Sequence, residues 1–325
     1  MPDGTRQAVL RAAEATAPGE VRIVERPLSG PGPGEIRVRL EGCGVCASNL
    51  EPWAGQPWMS WPLAPGELGH EGWGRVEAVG DGVGTFVPGD RVAILGYRSY
   101  ASHDTVPVDR AVPLPQALDG QPVPGEALGC AVSIFRKSGI GAGDTVAIVG
   151  TGFIGLLLVQ LATAAGARVI ALARRDAALD LAREMGAVET VRTDDHGATI
   201  ARVRELTGGK MADVAIEAAG HQWPLDLAAE LTRMGGRLVI AGFHQGPRQV
   251  NMLDWNWRAL EIVNAHERDE AKVVDAMREG IAQLAEGALT LTPLLTHDYP
   301  LAEVGRALDA TRDKPDGFVK AWVRC

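Results

Sequence analysis

Three groups of residues in this 325-residue chain have types and spacings that could do chemistry. The first is Gly42-Cys43-Gly44-Val45-Cys46-Ala47-Ser48-Asn49, followed by Gly69-His70-Glu71-Gly72 and, further on, Cys130. Two thiolates and an imidazole make a donor set suited to zinc, with a fourth position open to water or substrate. Spacing alone leaves other readings open: a Cys43/Cys46 redox pair, a core cysteine at 130 and a turn histidine at 70.

The second group is Gly150-Thr151-Gly152-Phe153-Ile154-Gly155, in Gly-x-Gly-x-x-Gly spacing. The first glycine permits a tight turn and the second lets a pyrophosphate approach the backbone. The third allows a helix to pack closely on the preceding strand. The third group is Ala173-Arg174-Arg175. A ribose 2′-hydroxyl calls for a carboxylate at the end of the second strand of such a unit, whereas a 2′-phosphate calls for cations. Ala173 stands where the acid would be and a guanidinium suits phosphate, so NADP is favoured over NAD. The competing reading has both arginines solvated and Asp176 capping the next helix.

These groups need elements to hold them. Thr145–Val149 is a short apolar, β-branched run, expected as a strand buried on both faces. Ile154, Leu157, Leu158, Leu161 and Ala165 repeat at helical spacing, and Arg168–Ala173 reads as the next parallel strand. The alternation continues with a helix over 176–185, a strand over 188–191 and a helix over 199–206. A strand at 214–217, a helix at 225–234 and strands at 237–241 and 260–263 follow. That order predicts a doubly wound parallel sheet. Residues 1–124 are rich in turn formers and short alternating strands such as 21–24, 36–40 and 91–95, with Pro31-Gly32-Pro33-Gly34 as the turn between the first two. The prolines 113, 115, 122 and 124 mark the boundary. The expected domains are therefore 1–124, 125–267, and 268–325 returning to the first. In the last segment an amphipathic helix, a strand at 294–296, a helix at 302–311 and a strand at 318–323 are expected.

Composition narrows the possibilities. A net charge of −9 and a pI near 5.3 argue against nucleic acid or an anionic membrane surface as partner. No apolar run approaches the ~18 residues of a membrane span, and the first 20 residues lack the apolar core of a signal peptide. The 4 cysteines are too few and scattered for a disulfide scaffold. A cytoplasmic protein is expected.

Taken together, the motifs resemble the medium-chain dehydrogenase/reductase superfamily, in its zinc-dependent alcohol dehydrogenase branch. Cys43–Asn49 is similar to the family's Cys-Gly-x-Cys-x-Ser-Asp segment, Gly69–Gly72 to its Gly-His-Glu motif, and Pro88–Val92 to its Pro-Gly-Asp-Arg-Val turn. Gly150–Gly155 falls where its cofactor fingerprint belongs. The resemblance implies a GroES-like β domain joined to a Rossmann domain, with the active site in the cleft between them. It implies Cys46, His70 and Cys130 as catalytic zinc ligands, with Cys43 a neighbour. It also implies Glu71 beside the metal, Ser48 as the hydroxyl that takes the substrate proton, and Lys320 at the cofactor pyrophosphate. The implied chemistry is alcohol–carbonyl interconversion, in which zinc lowers the alcohol's pKa as hydride passes to nicotinamide.

Three departures from the family pattern stand out. Asn49 replaces the aspartate that orients the zinc-bound histidine; its amide can accept a hydrogen bond from His70 without adding charge. No cysteine lies between Leu95 and Val112, so one zinc and no structural zinc are expected. Ala47 and Glu51 take positions where relatives carry a basic residue and a relay histidine; Glu51 reads as a relay exit or a solvated carboxylate. Trp53, Trp58, Trp61, Trp255 and Trp257 could wall a pocket for a secondary alcohol, a cyclic polyol or a sugar-like alcohol, or lie in the core. The resemblance also implies a homodimer in which 260–263 pairs with its symmetry mate. The rival functions are a zinc-free double-bond reductase on the same fold and a non-catalytic nucleotide-binding protein.

Overall fold

The computed structural model describes residues 8–325, which divide into two units: the chain through Ala127 with Leu291–Cys325, and Leu128–Thr290. The first unit opens with an antiparallel ribbon of β1 (Val9–Ala17) and β2 (Glu20–Pro27). Then come β3 (Glu35–Gly44), the short helix α1 (Leu50–Ala54), β4 (Glu71–Val79), β5 (Arg91–Ile94), β6 (His103–Pro107) and β7 (Ala111–Pro113). Pro31–Gly34 is not a hairpin turn. Strand β2 pairs with β1 and β3 belongs to a different sheet, so this segment carries the chain from one sheet to the other.

A helix that the sequence reading did not separate from its apolar surroundings, α2 (Gly125–Ser138), leads into the second unit. There β8 (Thr145–Val149), α3 (Phe153–Ala164), β9 (Arg168–Ala173), α4 (Asp176–Glu184), β10 (Glu189–Arg192), α5 (His196–Leu206) and β11 (Ala212–Glu217) alternate. Next are α6 (Gln222–Leu231), β12 (Thr232–Ile240), a short α7 (Met252–Trp257), β13 (Glu261–Asn264) and α8 (Glu270–Ala285). All pairings in this sheet are parallel, and its strand order is β10-β9-β8-β11-β12-β13. Order reverses between β8 and β11, the switch point at which doubly wound sheets open a crevice for ligand. Helix α6 ends three residues before the expected 234, because Thr232 already bonds into the sheet opposite Ala212.

The boundary expected at 267/268 falls instead at Thr290/Leu291. The reason is the packing of α8, which buries Val273, Ala276 and Met277. Gly129 of α2 lies against Val273 and Met277, and Gly280 of α8 lies against Leu128 and Val132, so both helices use a missing side chain to approach.

The returning segment supplies β14 (His297–Pro300), α9 (Val304–Asp313) and β15 (Ala321–Arg324). The strand expected at 294–296 is displaced: Leu294 is fully buried and ends a turn, and pairing starts at His297. The first unit's sheet runs β14-β15-β3-β4-β5-β7, with β6 also on β3. Among the described residues no helix is long and apolar enough to cross a membrane.

Candidate active site

Strand register assembles the first cluster. Gly44 at the end of β3 pairs with Glu71 at the start of β4, and Cys43 pairs with Gly72. The chain leaving β3 therefore delivers Cys46 beside His70, the residue entering β4. Ligand atoms of Cys46, His70 and Glu71 all lie within 4.8 Å of one another. The hydroxyl of Ser48, in the 3₁₀ turn after Cys46, is 3.2 Å from the Cys46 sulfur. Gly44 is required here, since a Cβ would strike the Glu71 carboxylate and crowd Lys320. The other cysteine of the motif is different in kind. Cys43 is fully buried in the core, and burial pushes its thiol well above the usual range, which removes the redox-pair reading.

The electrostatics favour a cation. Burial opposes charge on His70, yet the hydrogen-bonded Cys46 sulfur, with Glu126 and Glu71 nearby, pushes the imidazole up to about 10. Glu71 is 1% exposed and faces Lys320, 6% exposed, with Nζ 2.9 Å from Oε1 and 2.8 Å from Oε2. That lysine also donates to the Val45 carbonyl at 3.1 Å. Burial would lower its pKa, but Glu71 and Cys46 outweigh burial and raise it. Lys320 was expected at the cofactor pyrophosphate; its ammonium is held by Glu71 and Val45 instead.

Asn49 does not orient His70 by accepting from it. The ring Nδ1 donates to the Leu68 carbonyl at 3.0 Å, leaving Nε2 as the nitrogen with a lone pair for a ligand. Asn49 Nδ2 donates to the same carbonyl at 2.8 Å and to the Tyr100 hydroxyl at 3.0 Å. Leu68 adopts a left-handed φ of 78°, which turns its carbonyl towards both donors. A neutral backbone oxygen thus receives the proton of the His70 ring. No sequence signal marks Leu68 or Tyr100 for this work.

The glycine turn has the shape its spacing predicts. Gly150 has φ 106°, and a Cβ on Gly155 would strike the Gly150 carbonyl, so only glycine lets α3 seat on β8. Gly152 faces open space and precedes Phe153 and Ile154 at the start of α3, with no side chain capping the helix. Thr151 Oγ1 is buried without a hydrogen-bond partner. An open cradle, an uncapped helix N-terminus and a buried hydroxyl fit a pyrophosphate. Ala173 closes β9, and Arg174 and Arg175 follow. Arg175's pKa is lowered by burial and by Arg174, a like-charge neighbourhood that an anion would relieve. Asp176 is no cap; it pairs with Arg192 at 2.7 Å.

Other expected residues fall elsewhere. Trp53 is core, its indole donating to Asp309 at 3.1 Å, and Trp61 packs on the same cluster. Trp58 and Trp257 are 77% and 79% exposed, and Trp255 packs against the second unit's core. Glu51 meets Gln56. Cys130 lies on α2, in the second unit.

Comparison with known proteins agrees with this geometry. Residues 32–116 match the alcohol dehydrogenase GroES-like domain and residues 154–282 the zinc-binding dehydrogenase domain. The chain is 28% identical to sorbitol dehydrogenase of Gallus gallus, with 94% of each chain covered. It is 26% identical to 2-dehydro-3-deoxy-L-galactonate 5-dehydrogenase of Pseudoalteromonas atlantica, covering 97% and 98%. A structure described as a zinc-binding dehydrogenase from Sinorhizobium meliloti 1021 bound to NADP superposes with TM-score 0.84 at 28% identity, covering 98% of this chain and 100% of that one.

Proposed function

The chain belongs to the medium-chain dehydrogenase/reductase superfamily, in its zinc-dependent alcohol dehydrogenase-like branch, and within it we propose an NADP-dependent dehydrogenase of secondary alcohols, of the polyol or sugar-acid class. As an oxidoreductase of this kind it interconverts an alcohol and a carbonyl. The observation that carries the reading is the convergence of Cys46, His70 and Glu71 on one point. A soft thiolate with imidazole is a zinc donor set. One catalytic zinc per chain is proposed, since no second cluster of this kind occurs among the described residues. Bound there, zinc supplies a Lewis acid that acidifies the substrate hydroxyl.

The protein's own residues do the remainder. Leu68 fixes the His70 tautomer through its carbonyl. Ser48 holds a hydroxyl against the Cys46 sulfur, placed to take or return the substrate proton. Glu71, neutralised by Lys320, sets the charge behind the site without adding a free anion. The glycine turn and α3 receive the pyrophosphate, with Ala173, Arg174 and Arg175 at the adenosine ribose. The sorbitol, galactonate and butanediol dehydrogenases among the relatives support the substrate class.

Zinc-loaded protein assayed against sorbitol, 2,3-butanediol and aldonates should turn over at least one with NADP⁺. Turnover of enones or quinones alone, with every alcohol inert, would refute the alcohol reading.

Cofactor choice has its own test. Replacing Arg174 and Arg175 with alanine should weaken NADPH binding by about 2–4 kcal/mol, the scale of charge-assisted hydrogen bonds, and leave NADH nearly unchanged. If the unmodified protein already binds NADH more tightly, the arginines do not read a phosphate.

We also propose a homodimer built along β13. That strand ends the sheet with one neighbour, β12, and Ile262 is 40% exposed. An apolar edge of this kind invites pairing with a second copy. Light scattering at micromolar concentration should give twice the chain mass, and a monomer would end the proposal.

A further inference from the structure

Among the described residues of the second unit, the one buried carboxylate is that of Glu217, the last residue of β11 and 0% exposed. Its Oε1 accepts from the backbone N–H groups of Ala219 at 2.7 Å and Gly220 at 2.6 Å. Its Oε2 lies 2.8 Å from His244 Nε2. On the far side of that ring, Arg248 Nε donates to Nδ1 at 3.0 Å, and Arg248 Nη2 donates to the Gly220 carbonyl at 3.0 Å. A guanidinium can only donate, so Nδ1 must accept and Nε2 must carry the proton that Glu217 receives. The tautomer is fixed from both ends.

The backbone is fitted to the same point. The Glu217 carbonyl accepts from Ala241 and Gly242, each at 2.8 Å. A Cβ on Gly242 would strike Gly220 and the Glu217 carboxylate, and one on Gly220, at φ 76°, would crowd the Phe243 backbone. Two loops, 218–221 after β11 and 241–249 after β12, are therefore pinned together through a buried charge, an imidazole and a guanidinium. So much buried polarity is costly unless fully satisfied.

Its place in the fold suggests its use. If, as proposed above, Ala173–Arg175 at the end of β9 receives the adenosine ribose and the turn after β8 the pyrophosphate, the rest of the dinucleotide extends across the switch point over β11 and β12. We infer that Glu217, His244 and Arg248 are positioning residues for the nicotinamide half: they hold the two loops on that side in one conformation before the cofactor arrives. Pre-organisation of this kind strengthens binding because the loops need not be ordered by the ligand.

The inference rests on the dinucleotide reading, and its test separates the two. Holoenzyme carrying His244→Ala or His244→Gln is titrated with NADPH and with 2′-phospho-ADP-ribose, which lacks nicotinamide. His244 is a better target than Glu217, because its side chain is 13% exposed and its loss leaves no core cavity. Alanine should weaken NADPH about tenfold, the equivalent of one hydrogen bond to a charged group, and move the fragment less than about twofold. Glutamine, with one donor and one acceptor, should restore most of the loss. Equal weakening of both ligands, no change in either, or glutamine as poor as alanine would overturn the inference. Should NADH be the cofactor, NADH and ADP-ribose give the same comparison. Should the unmodified protein bind no dinucleotide, the functional reading itself falls.

Discussion

Replacing His70 with alanine is expected to strip zinc from the protein and lower kcat/KM by at least about a thousandfold, since a Lewis acid supplies several kcal/mol of transition-state stabilisation. Cys46→Ser should behave similarly, as an alcohol is a far poorer ligand than a thiolate. Cys43→Ser is the control. Its side chain is fully buried and its thiol is held protonated, so the variant should keep its metal and lose stability instead. Metal content by elemental analysis, read beside turnover, distinguishes these outcomes. A His70→Ala protein with full zinc and full activity would remove the site, and zinc lost from Cys43→Ser alone would show the ligand assignment to be misplaced within the motif.

Lys320→Met is expected to cost about 3–5 kcal/mol of folding stability, the usual effect of leaving a buried charge without its partner. Glu71 is 1% exposed and Lys320 is its only ion-pair partner among the described residues. That loss is a large share of a domain's ordinary margin of about 5–15 kcal/mol. Lys320→Met combined with Glu71→Gln should recover much of it, because the orphaned charge is then gone. Urea unfolding of the four proteins measures the coupling. If the two single losses simply add in the double variant, the pair is not coupled and Lys320 contributes to stability by other contacts.

Much of this was legible in the sequence, for identifiable reasons. The β8–turn–α3 unit announces itself because three glycines and two apolar periodicities must agree. Cys46, His70 and Glu71 were legible through motif resemblance, and strand register explains why they meet. What the sequence does not display depends on conformations and contacts with no local code. Leu68 accepts the His70 proton because its backbone is left-handed, and leucine does not advertise that. Trp53, placed by its sequence position for a pocket wall, has an indole that reaches Asp309 across more than two hundred residues of sequence. Helix α2 was hidden in an apolar stretch containing two glycines, one of which exists to admit α8. The Glu217 network did leave a trace: a carboxylate ending an apolar strand just before Ala-Ala-Gly. Only the loop after β12, distant in sequence, gives that carboxylate partners.

The interrupted course of the first unit bears on how the protein is made. Leu128–Thr290 is continuous, so a ribosome can release it whole and let it fold while synthesis goes on. The unit bearing Cys46 and His70 has no such freedom. The Gly42–Gly44 end of its strand β3 lacks an antiparallel neighbour on one side until β15 emerges, and Glu71 stays without its ammonium until Lys320 does. During that interval the nascent chain carries an unpaired strand edge and a half-built charge site. A chain that stops before β15 should thus keep a sound second unit and an aggregation-prone first unit, because the strand that closes on β3 and the ammonium that answers Glu71 arrive together.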